Sequence, residues 1–321
     1  MKKSLSTRDE RRDSPEIARA LDYCDHVSSQ RNNYLKRVSQ FLPDRAKYRL
    51  FCTTYAAMRV IDDAVDEEFL TRPENERVGR RDSMYGLIDK WLRQAEAAAG
   101  GAYRTISSSF EPFVFEALNV VLKGSQIGLG PWRELASSMK RDVAEEALDT
   151  WNDFLRYCEG ACVAPAAIFL YILGCRIDDQ ERSHLDWPEP PDSYARDMAI
   201  FCYLVHILRD LPEDVQKNRQ ILTIPLEFFT RTSLRAHDFV TAIRKGEWKA
   251  TAPLLQILVG RAEEYEQRAE EQLERLSHIM PKREYRIVWL LHKLYVRTFR
   301  RLRRKYEKTL GGFPPRDLET A

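Results

Sequence analysis

No Cys-x-x-Cys pair and no His-Glu-x-x-His run occurs in the 321-residue chain, so its six cysteines and six histidines give zinc no ligand spacing. Cys158 and Cys162 stand one helical turn apart, but the six thiols are scattered through apolar patterns. They read as buried free thiols of a cytoplasmic protein. The chain has no run of about 18 uncharged apolar residues, so no segment is expected to span a membrane. Its first residues, MKKSLSTRDERRDS, are charged with no apolar stretch behind them, which argues against a secretory signal. The formal net charge is only +2, so no global basic field points to nucleic acid. No glycine-rich dinucleotide fingerprint follows a strand, and NADPH has no support from motif.

What is present is helical periodicity, with no alternating strand pattern to compete with it. At 44% hydrophobic and 31% charged residues, the chain has material for a large core and a solvated surface. The periodicity predicts helices over 15–31, 44–70, 76–98, 107–124, 131–148, 150–174, 192–217, 235–246, 249–278 and 282–309. Breaks fall at Gly100-Gly101, at Gly128–Pro131, at the DWPEPPD segment and at Gly311-Gly312-Phe313-Pro314-Pro315. None is long enough to link domains, and no internal repeat is present. One all-α domain over 15–310 is expected, with flexible termini at 1–14 and 311–321. The last helix places seven basic residues between Arg297 and Lys308. They read as a solvated face, or as a weak dock onto anionic lipid that would make the protein peripheral to a membrane.

Two segments carry chemistry. In the first, Tyr55, Arg59, Asp62 and Asp66 are spaced i, i+4, i+7, i+11 and share one helix face. Met58, Val60, Ile61 and Val65 surround them with apolar side chains, so the carboxylates need a counter-ion. In the second, Arg209, Asp210 and Asp214 repeat the pattern, with Lys217 and Arg219 following. Two such helices facing each other create an all-oxygen site. That donor set suits Mg²⁺, which keeps waters and substrate phosphates among its ligands. The flanking cations suit diphosphate oxygens, so metal and cations together would stabilise diphosphate as a leaving group.

The string YAAMRVIDDAVDE resembles the first aspartate-rich motif of the squalene/phytoene synthase family, and LVHILRDLPEDVQKNR resembles its second. Between them, Tyr157-Cys-Glu-Gly-Ala-Cys-Val-Ala-Pro165-Ala is similar to that family's tyrosine-led helix kink. Phe41-Leu42-Pro43 with Arg45, and Leu294-Tyr295, are similar to segments near its two ends. The likeness spans roughly residues 30 to 305. It implies a single-domain isoprenoid synthase fold with helices around a central apolar cavity. It assigns Asp62, Asp66, Asp210 and Asp214 to Mg²⁺, three ions per site with diphosphate bound. Arg59, Arg209 and Arg219 would hold diphosphate, with Lys217 alongside, and Tyr55 would assist them. Tyr157 and Tyr295 would line the cavity near the reacting carbons. The implied reaction ionises an allylic prenyl diphosphate and couples it head to head with a second one. Phe51, Phe169, Tyr171, Phe201 and Tyr203 are candidates to steady the cations with their ring faces, or are plain core.

The chain departs from the family pattern at several places. A serine-containing stretch reads Arg31-Asn-Asn-Tyr34-Leu, an asparagine is His206, a glutamine is Tyr203, and a tyrosine after Arg219 is Ile221. Imidazole serves Mg²⁺ poorly, so His206 is expected to bond diphosphate instead. Pro212 is expected to bend or end the second motif helix, and Pro165 to kink its own. These changes surround the second substrate. They keep open prenyl transfer to a non-prenyl, for instance aromatic, acceptor, and a non-catalytic role as an assembly factor.

Overall fold

The computed structural model describes residues 14–30, 34–42, 44–105, 109–180, 182–216 and 223–310. The predicted flexible termini, apart from Ser14, lie outside these residues, as do Pro43, Lys217, Arg219 and Ile221.

The described chain is built from helices: α1 (Pro15–Ser29), α2 (Tyr34–Ser39), α3 (Arg45–Asp63), α4 (Glu74–Ala99), α5 (Pro112–Val121), α6 (Gly130–Ala144), α7 (Trp151–Cys158) and α8 (Ala164–Gly174). They continue as α9 (Pro191–Gln216), α10 (Leu226–Arg231), α11 (Ala236–Lys245), α12 (Ala252–Ile279) and α13 (Lys282–Leu310). Local chemistry sets many of the ends. Ser14 and Asp44 cap α1 and α3 by accepting from Ile17 N and Ala46 N, and Thr150 and Asp153 form a reciprocal capping box at α7. Gly246 closes α11 in the left-handed conformation (φ 74°).

Several boundaries differ from those predicted. The helix expected from 107 starts at Pro112, and the one expected to reach 148 stops at Ala144, where Glu145 turns left-handed at φ 56°. The short helices α2 and α10 are too brief for a periodicity to register. One strand pair exists where none was expected: Arg176–Ile177 pairs antiparallel with Ser183–His184. Two residues per strand cannot show an alternation.

Two predicted continuous helices each contain a π turn, at Ala64–Phe69 after α3 and at Glu159–Val163 between α7 and α8. A π turn adds a residue to the helical ring and is enriched at functional sites. Pro165 falls in the first turn of α8, where a missing N–H is tolerated. The composite rod Trp151–Gly174 is long and apolar enough to cross a membrane. However, 67% of its most apolar window is buried inside the molecule, as for a core helix.

The core has two lobes. One gathers Phe51, Trp91, Phe115 and Trp132 from α3, α4, α5 and α6. The other gathers Phe154, Phe201, Phe228, Phe239 and Phe299 from α7, α9, α10, α11 and α13. Ala166, Cys202 and Tyr295 are only partly buried and pack against both lobes. These three residues mark where the two lobes meet. All six cysteines are free; Cys162 and Cys202 are half-buried and the others buried.

Candidate active site

The first aspartate segment begins on α3 and ends in the π turn that follows it. Arg59 binds its own segment: Nη1 donates to Asp62 Oδ2 at 2.6 Å, Nε donates to Asp63 Oδ2 at 2.9 Å, and Nη2 donates to Asp63 Oδ1. Arg59 thus serves as counter-ion to the carboxylates, with Asp63 an added partner. Asp66 lies within the π turn, so the simple i, i+4 face drawn from Asp62 is rewound at that point. Tyr55 stacks on Phe51 with centroids 5.6 Å apart.

The second segment lies on α9. Arg209 grips Asp210 in a two-pronged pair, Nε to Oδ1 and Nη2 to Oδ2, each at 2.7 Å. Asp214 follows on the same helix. Pro212 neither ends α9, which runs on to Gln216, nor leaves its missing bond open. Proline removes the N–H that would reach the Leu208 carbonyl. The Tyr306 hydroxyl of α13 donates to that carbonyl at 2.7 Å instead. Tyr306→Phe therefore leaves a buried carbonyl without a donor. We expect it to cost about 1–2 kcal/mol in a denaturant titration, and an unchanged midpoint would show that water replaces the hydroxyl.

A residue that sequence reasoning missed stands by the first of these segments. Asp142, near the end of α6, accepts from the Tyr157 hydroxyl at 2.9 and 3.1 Å, and Tyr203 donates to the Tyr157 oxygen at 3.4 Å. Burial first, and then the charges of Asp66 and Asp62, hold the Asp142 carboxyl well above the usual carboxylate range, against the Tyr157 hydrogen bond. Burial and the Asp142 charge push the Tyr157 phenol up in turn. Asp142 sits in a mixed KRDVAEE string with no paired motif, and only folding brings it to Asp62 and Asp66. The second π turn packs on α6, the helix that carries Asp142. Gly160 within it packs so closely on α6 that a Cβ there would lie 2.0 Å from the Glu134 carbonyl oxygen.

His206 and Tyr295 meet between α9 and α13, His206 one turn before Asp210 on the same helix. His206 Nε2 lies 2.8 Å from the Tyr295 hydroxyl, and their rings stack with centroids 5.4 Å apart. Burial, reinforced by Arg209, lowers the imidazole's pKa to about 4. Tyr34 meets Tyr295 edge-on at 5.2 Å. Of the aromatic candidates, Phe51 and Phe169 pack edge to face, Phe201 packs on Phe299, and Tyr171 bonds Ser183, which are core roles. A separate groove of about 800 Å³ is lined by Val163 of the second π turn and by Ala167 and the aromatic candidate Tyr171 of α8, and none of the residues predicted to bind metal or diphosphate lines it.

The donors near the motifs are carboxylate oxygens, and the mutual crowding of Asp142, Asp66 and Asp62 is what a bound cation relieves. Among the described residues, no three His, Cys, Asp or Glu side chains converge to hold a metal by themselves. Carboxylate oxygens are the donor type Mg²⁺ takes, with waters and substrate phosphates completing its shell, so the donor type fits the ion.

Comparison with known proteins bears on family and fold. The sequence model of squalene/phytoene synthases matches residues 28–318. The chain is 22% identical over 264 residues to a 15-cis-phytoene synthase of Synechococcus elongatus, covering 82% of this chain and 78% of that one. It is 23% identical over 269 residues to a 15-cis-phytoene synthase of Synechocystis sp., covering 81% and 71%. Among solved structures, squalene synthase HpnC from Alicyclobacillus acidocaldarius superposes with a TM-score of 0.68 at 19% identity, covering 91% of this chain and 95% of that one. A dehydrosqualene synthase in complex with ligand gives 0.66 at 17%, covering 95% and 92%. These likenesses establish an isoprenoid synthase fold, and the near-complete family match establishes membership. The chain belongs to the squalene/phytoene synthase family of prenyltransferases.

Proposed function

We propose that this prenyltransferase joins two allylic prenyl diphosphates, of farnesyl or geranylgeranyl length, head to head in an Mg²⁺-dependent reaction. The observation that carries the reading is the buried Asp142 carboxylate, which accepts from the Tyr157 hydroxyl at 2.9 Å and is crowded by the charges of Asp66 and Asp62. Asp62, Asp66, Asp210 and Asp214 would hold Mg²⁺, which neutralises departing diphosphate and so lowers the barrier to ionisation.

The chain's own groups supply the rest. Arg59 and Arg209 would exchange their motif carboxylates for diphosphate oxygens, which match the planar fork equally well. Lys217 and Arg219, next in sequence, would extend that grip. Tyr157, held by Asp142, and Tyr203 would present ring faces to the cation in a space shielded from water. The seven basic side chains of α13 are exposed, and Arg300 and Arg303 are partly neutralised by Glu266, Glu263 and Glu307. This leaves a modest positive face that supports weak docking on anionic lipid near a greasy substrate.

The test is incubation of the purified chain with Mg²⁺ and farnesyl or geranylgeranyl diphosphate, with an EDTA control and mass spectrometry of products. A metal-dependent C30 or C40 product is expected. Prenyl alcohol alone would transfer the reading to a different acceptor, and no turnover would overturn it.

A further inference from the structure

Pro212 falls between Asp210 and Asp214, so any bend it introduces sets the direction of one carboxylate relative to the other. A proline inside a helix crowds the carbonyl four residues earlier and leaves it without its helical donor; here that carbonyl belongs to Leu208. Two side chains from elsewhere in the chain reach the backbone on either side of this break. The Tyr306 hydroxyl of α13 donates to the Leu208 carbonyl at 2.7 Å. Arg244 of α11 donates to the Val215 carbonyl, through Nε at 3.0 Å and through Nη2 at 2.9 Å. The first contact lies two residues before Asp210 and the second one residue after Asp214. The acidic stretch is thus held at both ends by elements outside its own helix.

The donors are themselves well placed. Tyr306 is buried, and its ring packs on Trp248 with centroids 6.0 Å apart. Burial, and then the Asp210 charge, push its phenol pKa up, so it keeps the proton that it donates. Arg244 brings two N–H groups of its planar fork to one oxygen. Leu208, Leu211 and Val215 anchor this part of α9 in the core through their side chains. Hydrogen bonds weaken steeply as their angle closes, so the two carbonyl contacts fix the course of the backbone more narrowly than apolar packing does.

We propose that Tyr306 and Arg244 are positioning residues, which hold Asp210 and Asp214 in the relative direction that binding of Mg²⁺ with diphosphate requires. The inference rests on the reading above, in which these aspartates hold Mg²⁺. That ion demands near-octahedral geometry and tolerates little displacement of its oxygens. A bend that turns Asp214 aside therefore costs metal affinity while the fold stands. Tyr306 supplies the donor that Pro212 lacks, so its hydroxyl matters only while the proline is present. Any other residue at 212 brings its own N–H to the Leu208 carbonyl. Arg244 acts beyond the break and is independent of what occupies 212.

The experiment uses the full chain and reads binding, not turnover. Inorganic diphosphate is titrated calorimetrically at a series of Mg²⁺ concentrations, with circular dichroism confirming that each variant is folded. The quantity read is the Mg²⁺ concentration that gives half of full binding. Tyr306→Phe and Arg244→Gln are each expected to raise it about tenfold. In a Pro212→Ala background, Tyr306→Phe is expected to change it less than about twofold, whereas Arg244→Gln keeps its full effect. A role in stability alone leaves half-saturation unmoved in the folded variants, and that result would overturn the proposal. So would a tenfold loss from Tyr306→Phe in both backgrounds, because the hydroxyl would then act on something other than the freed carbonyl. If the wild type shows no Mg²⁺-dependent diphosphate binding, the metal reading falls and this proposal with it. If the wild type binds and the variants match it, the proposal alone falls.

Discussion

Asp62→Asn and Asp210→Asn each lower prenyl diphosphate turnover by roughly 10²–10³-fold, with the helical circular dichroism unchanged. The substitution preserves shape and removes one negative charge from the oxygen-rich site. The fold does not depend on either charge: Asp62 and Asp210 are partly exposed, and each is paired with an arginine of its own segment. Exposed pairs of this kind are worth little to stability. On the proposed reading their charge matters when diphosphate leaves, because they would hold the cation that stabilises it. Raising Mg²⁺ should recover part of the loss if affinity is the step affected. Full activity in either variant at ordinary Mg²⁺ would show that the metal is held elsewhere.

Gly160→Ala lowers stability by about 3 kcal/mol, the upper end for overpacking, and the melting temperature by roughly 6 °C. The added Cβ would meet the Glu134 carbonyl oxygen at 2.0 Å and the Ser138 hydroxyl at 2.7 Å. The first of these is backbone, so α6 or the π turn has to move. That movement separates Tyr157 from Asp142 and lowers activity in the fraction that still folds. Gly86 in the middle of α4 provides the opposite case, since nothing lies within 4 Å of its added Cβ. Gly86→Ala is expected to stabilise by about 1 kcal/mol through helix propensity alone. Calorimetry of the two variants side by side measures both signs, and a neutral Gly160→Ala would mean that the two elements are not in tight contact.

Much of the architecture was legible because helices report themselves locally. Long amphipathic runs such as those of α4, α9, α12 and α13 repeat their apolar positions often enough to be recognised, and their caps obey local chemistry. Short elements escaped for the same reason. Six residues of α10 hold fewer than two turns, and the two-residue strands hold no alternation. The π turns escaped differently. An inserted residue leaves the apolar pattern nearly intact, and the choice between an i−4 and an i−5 bond is decided by what packs outside the helix. At Ala64–Phe69 that choice sets the direction of Asp66; at Glu159–Val163 it lets Gly160 approach α6.

Pro212 shows the same division. Its missing N–H follows from the residue type alone, and from that the prediction of a bent or broken helix. What the helix does depends on Tyr306, nearly a hundred positions later, which satisfies the carbonyl Pro212 leaves free. Within 55–66 and 209–214, the order and spacing of the carboxylates and arginines are written in the chain, since one helix turn relates them. The sequence by itself determined an all-helical protein, two acidic helix faces with their arginines, and so the class of ligand they suit. The tertiary structure alone decided that Asp142 stands by the first of them, that Tyr157 bonds it, and that His206 meets Tyr295 beside Tyr34. Each of those contacts links helices distant in sequence, and no local periodicity encodes how two separate helices are placed against each other.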